Sequence, residues 1–114
     1  MKLERTDVAG AYVVRGDRYA DERGFLAPLW SLQAFAAEGL GTPMSRVSLL
    51  HSPTRGTLRG MHWQDPPYAD AKLVRCVAGA VYDVVVDLRE HSSTVGRWVG
   101  AKLTADSDTM LYCP

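Results

Sequence analysis

Apolar residues occur along the chain in many short runs that glycines and prolines interrupt. Such runs, with apolar and polar positions alternating, are typical of short β-strands. One short helix is predicted over Leu32–Glu38, where helix-favouring residues gather and Gly39 can end it. The pattern therefore indicates an all-β sandwich or barrel. The predicted strands are Ala11–Arg15, Phe25–Trp30, Arg46–Ser52, Thr57–Gln64, Lys72–Val77, Ala80–Leu88, Trp98–Leu103 and Met110–Tyr112.

The segment Lys72–Leu88 has the pattern of a β-hairpin, with Ala78-Gly79 as a two-residue turn. That register places Val74 opposite Asp83 and makes Lys72 a diagonal neighbour of Asp83. Since side chains alternate along a strand, two faces are predicted. One face carries Lys72, Val74, Cys76, Val81, Asp83 and Val85, and the other carries Leu73, Arg75, Val77, Tyr82, Val84 and Val86.

Lys72 and Asp83 thus share a face that is otherwise mostly apolar. Charges on such a face are costly unless they are paired or used in a function. Two interpretations stay open, a structural ion pair at the sheet margin or a functional pair. A three-residue loop would reverse the side-chain parity and remove the argument.

The segment Arg55–Gln64 carries the other candidate chemistry. Alternation puts Leu58, Gly60, His62 and Gln64 on one face, and Arg59, Met61 and Trp63 on the other. Arg59 and His62 can share a site only if the strand bulges, and Gly60 is where a bulge costs least. His62 has the side chain best suited to proton transfer near neutral pH, although a structural role is the alternative.

Size and charge narrow the classes of function. The 114 residues suffice for one domain, 1–114, and 13 basic and 13 acidic residues cancel. No large positive field is available for nucleic acid or an anionic membrane. The first residues lack the apolar run of a signal peptide, and no stretch is long enough to span a bilayer. Cys76 and Cys113 follow no zinc or redox spacing, so a reduced, cytoplasmic protein is expected.

Several motifs in one order resemble the dTDP-4-dehydrorhamnose 3,5-epimerase family of the cupin superfamily. Linked motifs are far more specific than any one of them. The resemblance covers about Asp7 to the last residue. The matching stretches are Asp21-Glu22-Arg23-Gly24-Phe25, Gly56-Thr57-Leu58-Arg59-Gly60-Met61-His62-Trp63-Gln64, Ala71-Lys72-Leu73-Val74-Arg75, Gly79–Arg89 and Ser93-Thr94-Val95-Gly96-Arg97-Trp98.

The resemblance implies a cupin-type jelly-roll barrel that forms a homodimer and acts on a thymidine-diphosphate 4-keto-6-deoxyhexose. In that family pattern His62 is the base that removes protons from C3 and C5, and Lys72 stabilises the enolate oxygen. Arg59 is expected to contact the diphosphate. Arg23 is expected to reach nucleotide or phosphate across the dimer interface. Asp83 is expected to tune the Lys72 side of the pocket.

No metal and no cofactor are expected. Metal-binding cupins use His-x-His, a later Glu and then Gly, whereas here Gln64 follows His62 and Lys72 stands near the Glu position. Glutamine is a weak metal ligand and an ammonium is none. A lysine there suits the stabilisation of negative charge on a substrate instead.

The chain also departs from the family pattern. Pro28 stands where the family commonly has a site-lining Glu, and Val47 and Leu49 stand where it has Gln-x-Asn. The family's tyrosine acid and the carboxylate that orients the base are expected beyond Pro114. The chain is therefore expected to lack the C-terminal part of the domain, or to have its last strand covered by a partner chain.

Three hypotheses follow from the positions that match the family pattern and those that depart from it. The first is the C3 and C5 epimerase of a dTDP-4-keto-6-deoxyhexose. The second is a related single-centre epimerase or 3,4-ketoisomerase on the same barrel. The third is a non-catalytic nucleotide-sugar-binding module. The departures at Pro28, Val47 and Leu49 and the missing end favour this third hypothesis. The first two are favoured by the residues that match the family pattern, His62, Lys72, Arg59 and Asp83.

Overall fold

The structure, a computed structural model, describes residues 1–40 and 44–114. Strands dominate the described residues, and one short helix follows the fourth strand. The helix is α1, Leu32–Ala37. The strands are β1 (Lys2–Arg5), β2 (Tyr12–Arg15), β3 (Tyr19–Asp21), β4 (Gly24–Leu26), β5 (Lys72–Arg75), β6 (Ala80–Val86), β7 (Trp98–Thr104) and β8 (Thr109–Cys113).

Four of these strands form one antiparallel sheet in the order β1-β2-β8-β5. The last strand therefore lies in the middle of the sheet, where Leu111 pairs with Val13 on one side and with Val74 on the other. Strands β6 and β7 form a separate antiparallel ribbon, and β3 and β4 form a small hairpin, called here the arm.

One face of the four-stranded sheet packs against the helix. Phe35 of α1 is buried there in a cluster with Tyr12, Val14 and Met110. The helix begins at Ser31, whose hydroxyl accepts a hydrogen bond from the Ala34 amide at 3.3 Å. This confirms the predicted helix and places its single buried aromatic residue on the sheet.

The opposite face of the sheet packs against the β6–β7 ribbon. Cys76 and Leu111 from the sheet side meet Val85 and Leu103 from the ribbon in one buried cluster. Val74 and Cys113 pack against the same cluster. Because alternate residues point to the same side of a strand, Lys72 lies on this inner face together with Val74.

The predicted hairpin is wrong, because β5 and β6 do not pair with each other. Strand β5 pairs with β8, where Lys72 lies opposite Cys113, and β6 pairs with β7, where Asp83 lies opposite Ala101. The connection instead carries the chain from the sheet to the facing ribbon, and the Gly79 carbonyl accepts a hydrogen bond from Ala105 at 3.0 Å. Placing β6 in the second layer buries apolar residues of both strands, which a flat hairpin cannot do.

The prediction of which side chains share a face nevertheless holds for three apolar residues, although the strand partners differ. Val74, Cys76 and Val85 belong to one apolar cluster, as the alternation requires. Lys72 and Asp83 therefore approach one interior from facing layers rather than from neighbouring strands.

Two predicted strands, Arg46–Ser52 and Thr57–Gln64, are not formed. Every residue from 44 to 71 is exposed and none belongs to a helix or strand. A strand needs a neighbouring strand to satisfy its backbone groups, and apolar alternation alone does not supply one. The predicted strand Phe25–Trp30 is shortened to β4, whereas β1 and β3 were not predicted.

Candidate functional site

The candidate site is the inner face between the four-stranded sheet and the β6–β7 ribbon. Lys72 begins β5 and lies beside Cys113 of β8. Asp83 lies in the middle of β6 and is half-buried. The surrounding side chains are apolar, with Val74, Ala101 and Val85 among them.

Burial dominates the electrostatics of this face. It raises the pKa of the Asp83 carboxyl, and a hydrogen bond from the Val84 amide at 3.1 Å only partly offsets the effect. Burial also raises the pKa of the Cys113 thiol, which the Lys72 charge lowers and the Asp83 charge raises. The charges of Arg89 and Asp87 act on the same thiol in opposite directions, so Cys113 lies within reach of four charged groups.

Among the residues that the structure describes, no ion pair within 4.0 Å joins Lys72 to Asp83. The Lys72 side chain is exposed at the first position of β5, at the margin of this apolar face, where an ammonium can stabilise an oxygen that becomes negative.

His62 and Arg59 lie outside this interior, on the exposed segment 44–71. The Arg59 guanidinium donates to the Ser52 hydroxyl at 3.2 Å and to the His51 carbonyl at 3.3 Å. Gly60 between them has a φ of +106°, a backbone conformation that favours glycine. Over the described part of the chain, no hydrogen bond or ion pair connects His62 with Lys72.

Arg23 lies at the tip of the arm, between β3 and β4. Its guanidinium pairs with Asp21 at 2.6 Å, and both side chains are exposed. Of the predicted site residues, Lys72 and Asp83 lie on the two facing layers of the sandwich. The structure places His62, Arg59 and Arg23 on two exposed segments.

The three departing positions lie on the same exposed parts of the chain. Pro28 follows the arm and is exposed, and Val47 and Leu49 project from the segment 44–71. None of the three belongs to either buried cluster, so packing of this chain does not explain their apolar character.

Sequence reasoning missed a buried carboxylate just after β6. Asp87 is 2% exposed. It accepts hydrogen bonds from the Arg89 guanidinium at 2.8 and 2.9 Å and from the Thr94 hydroxyl at 2.7 Å. The Ser92 hydroxyl also donates to it. These bonds, led by that of Arg89, hold the pKa of Asp87 far below its ordinary value.

The Asp87 network also ties the β6–β7 connection to the N-terminal loop. The Ala9 amide donates to the Thr94 hydroxyl at 2.9 Å, and the Arg89 guanidinium donates to the Ala9 carbonyl at 2.5 Å. Arg89 is therefore a structural partner of both Asp87 and the N-terminal loop. Asp87 and Thr94 belong to two of the stretches that resemble the family, and the hydrogen bond between them joins these stretches. From the sequence, only the order of the two stretches along the chain could have indicated this contact.

Within residues 1–40 and 44–114, no three His, Cys, Asp or Glu side chains are grouped as metal ligands. No helix in the described part of the chain is long and apolar enough to cross a membrane.

Comparison with known proteins gives a consistent result. The sequence profile of the dTDP-4-dehydrorhamnose 3,5-epimerase family matches residues 5–114. A dTDP-4-dehydrorhamnose 3,5-epimerase of Shigella flexneri is 40% identical over 115 residues, which cover 100% of this chain and 63% of that protein. A dTDP-4-dehydrorhamnose 3-epimerase of Streptomyces niveus is 38% identical over 98% of this chain and 54% of its own length.

A solved structure supports the fold. The crystal structure of dTDP-4-dehydrorhamnose 3,5-epimerase from Bacillus anthracis, with TDP and pyrophosphate bound, superposes with a TM-score of 0.92 at 33% identity. The superposition covers 99% of this chain and 65% of that chain. It confirms the predicted cupin-type architecture for this chain, which spans less than two thirds of the length of the relatives that it matches.

Proposed function

This chain belongs to the dTDP-4-dehydrorhamnose 3,5-epimerase family, and from that premise we propose that the protein inverts C3 and C5 of a dTDP-4-keto-6-deoxyhexose. The observation that carries the proposal is the placement of Lys72 and Asp83 on the two facing layers of the sandwich, beside the apolar cluster between them. The reaction serves deoxysugar biosynthesis, of the L-rhamnose type or of an antibiotic sugar, in the cytoplasm.

The proposed chemistry begins with the 4-keto group, which acidifies the hydrogens on C3 and C5. The His62 imidazole takes a proton from carbon, and the electron pair of the broken C–H bond moves onto the C4 oxygen. The Lys72 ammonium stabilises the resulting enolate oxygen, and Asp83 tunes the field at that ammonium. A proton then returns to the opposite face of the carbon from an acid, and the centre is inverted.

Arg59 and Arg23 are proposed to hold the diphosphate and the nucleotide. The Arg59 guanidinium is bonded to neutral groups, a hydroxyl and a carbonyl, so its charge is not cancelled by those contacts. Arg23 pairs with Asp21, but that pair is exposed and is easily exchanged for a phosphate. Both guanidinium groups can therefore reach an anionic ligand at small cost.

A homodimer is part of the proposal. The segment 44–71 exposes Val47, Leu49, Leu58 and Trp63, which is unusual for a segment that has no partner. Burial of these side chains against a second copy would remove them from water. Sedimentation velocity at micromolar concentration is expected to give twice the chain mass, and a monomer would contradict the proposed dimer.

Deuterium incorporation tests the proposed function directly. The protein is incubated with dTDP-4-keto-6-deoxyglucose in deuterated water, and C3 and C5 are followed by NMR. We expect deuterium at both carbons, at a rate well above buffer. A His62→Ala variant removes the base without touching either buried cluster, so it is expected to lose the exchange and keep the wild-type melting temperature.

The other outcomes separate the remaining hypotheses. Deuterium at C3 alone would support a single-centre enzyme, which the similarity to the Streptomyces niveus 3-epimerase favours as the second candidate. Exchange at buffer level together with retained binding of the nucleotide sugar would contradict catalysis and identify a binding module.

A further inference from the structure

A second group of charges, remote from Lys72 and Asp83, surrounds Asp108 at the start of β8. The Arg18 guanidinium donates to both Asp108 carboxylate oxygens, at 2.7 and 2.9 Å. Arg75 of β5 donates to the same carboxylate at 3.3 Å. Asp108 is 19% exposed in its side chain and Arg75 is 13% exposed, so this is a partly buried, three-membered network.

Arg18 connects this network to the arm. It lies immediately before β3, and its guanidinium carbon lies 3.9 Å from the centre of the Phe25 ring in β4. One side chain thus contacts the sheet through a fork of two hydrogen bonds and the arm through a cation–π contact. The Gly16 amide also donates to the Asp108 carbonyl, at 2.8 Å, which fixes the chain just before Arg18.

Within residues 1–40 and 44–114, few other contacts hold the arm. All six of its strand residues are exposed, and its tip carries Arg23, whose side chain bonds only within the arm to Asp21 among the described residues. The orientation of Arg23 relative to the sheet therefore depends on the anchor formed by Arg18, Asp108 and Phe25.

We propose that Arg18 is a positioning residue that fixes the arm on the sheet through Asp108 and so presents Arg23 to the diphosphate of the substrate. The presenting step rests on the proposed function, in which Arg23 binds that group. The anchoring step rests on the contacts of Arg18 alone. The two steps can therefore fail separately.

The variant Arg18→Gln tests the anchor most cleanly. It removes the fork and the cation–π contact but leaves the partly buried pair of Arg75 and Asp108 in place, so the fold should be retained. Arg15→Gln is the matched control, since Arg15 lies on β2 and its pair with Glu4, at 2.9 Å, does not contact the arm. Arg18→Lys restores the charge without the two-pronged geometry and should recover only part of the effect.

Two readouts are expected to change in Arg18→Gln and not in Arg15→Gln. Amide hydrogen exchange across residues 19–26 should become about fivefold faster, because a partly exposed charged fork contributes a modest amount to local stability. The Kd for dTDP, measured by calorimetry, and the KM should rise by about fivefold, while kcat for deuterium incorporation stays unchanged.

Each contrary result overturns a stated step. Unchanged exchange in residues 19–26 of Arg18→Gln would overturn the anchor, whatever the substrate is. Faster exchange with an unchanged Kd for dTDP would overturn the presentation of Arg23 to the diphosphate. If the wild-type protein does not bind dTDP, the proposed function is wrong, and the presentation step is overturned with it. A fall in kcat with KM unchanged would place Arg18 in the chemistry instead and would also overturn the proposal.

Discussion

The β-sandwich and the segment 44–71 are both rich in large apolar residues, but only the sandwich buries them. Leu111 of β8 is 0% exposed, whereas Leu58 of the segment is 91% exposed. Asp83 is half-buried in the sandwich, and Lys72 is held there by the pairing of its strand with β8, although its side chain is exposed. His62 and Arg59 lie on the segment, and both are exposed. The comparison teaches that the proposed site joins residues on a packed sandwich to residues on an exposed segment without helix or strand.

The largest expected difference between the two regions is in stability. Leu111→Ala leaves a cavity among Val74, Val85 and Leu103 and should lower the free energy of unfolding by about 3 kcal/mol. Leu58→Ala should change it by less than about 0.5 kcal/mol. Urea denaturation of both variants measures the contrast, and equal losses would show that the segment is packed in solution.

The next largest effect concerns the Asp87 network. Asp87→Asn removes a buried charge from Arg89, Ser92 and Thr94 and should lower stability at pH 7 by about 2 kcal/mol. Glu90→Gln, an exposed change in the same connection, is the control and should be neutral. A neutral Asp87→Asn variant would mean that the network does not hold the β6–β7 connection.

The effect of pH on the stability of the wild type and of Asp87→Asn follows from the direction in which the pKa of Asp87 is shifted. The pKa of Asp87 is lower in the folded state than in the unfolded state, so ionised Asp87 stabilises the fold. This contribution is present above the unfolded pKa of about 4 and is lost as the pH falls further. The difference between wild type and Asp87→Asn should therefore narrow below about pH 4, and a constant difference would contradict this assignment.

Asp83 should behave in the opposite way, although it lies on the same strand. Burial raises its pKa, so its ionised form is less favourable in the folded state and costs stability above the unfolded pKa. Asp83→Asn should raise the free energy of unfolding slightly at pH 7, by about 0.5 kcal/mol, and should slow deuterium incorporation. A destabilised variant with normal activity would assign Asp83 a purely structural role.

Alternation along the chain was enough to predict which side chains share a face. Lys72, Val74 and Cys76 lie on the inner face as expected, and so does Val85 from the facing layer. Strand partners could not be predicted in the same way, since the pairing of β5 with β8 joins residues far apart in sequence. The face is a local property of the backbone, whereas the partner depends on the whole fold.

Two further features were beyond sequence reasoning for the same reason. Asp87 is buried in a network that includes Arg89, and Arg89 also donates to the Ala9 carbonyl, 80 residues earlier in the chain. A contact at that distance is not visible in the local sequence pattern. The segment around His62 has the apolar alternation of a strand, but alternation does not supply the neighbouring strand that it needs. Local pattern thus identified the candidate chemistry, while its geometry depended on distant contacts.

The most direct test of the account asks whether His62 and Lys72 act on one ligand. Titration with dTDP-glucose, which has no 4-keto group and cannot react, is followed by NMR of the labelled His62 ring and the Lys72 side chain. We predict that both sets of signals shift with a single Kd, and that Lys72→Ala weakens the His62 response. A shift of Lys72 with no response at His62 would contradict the proposed site.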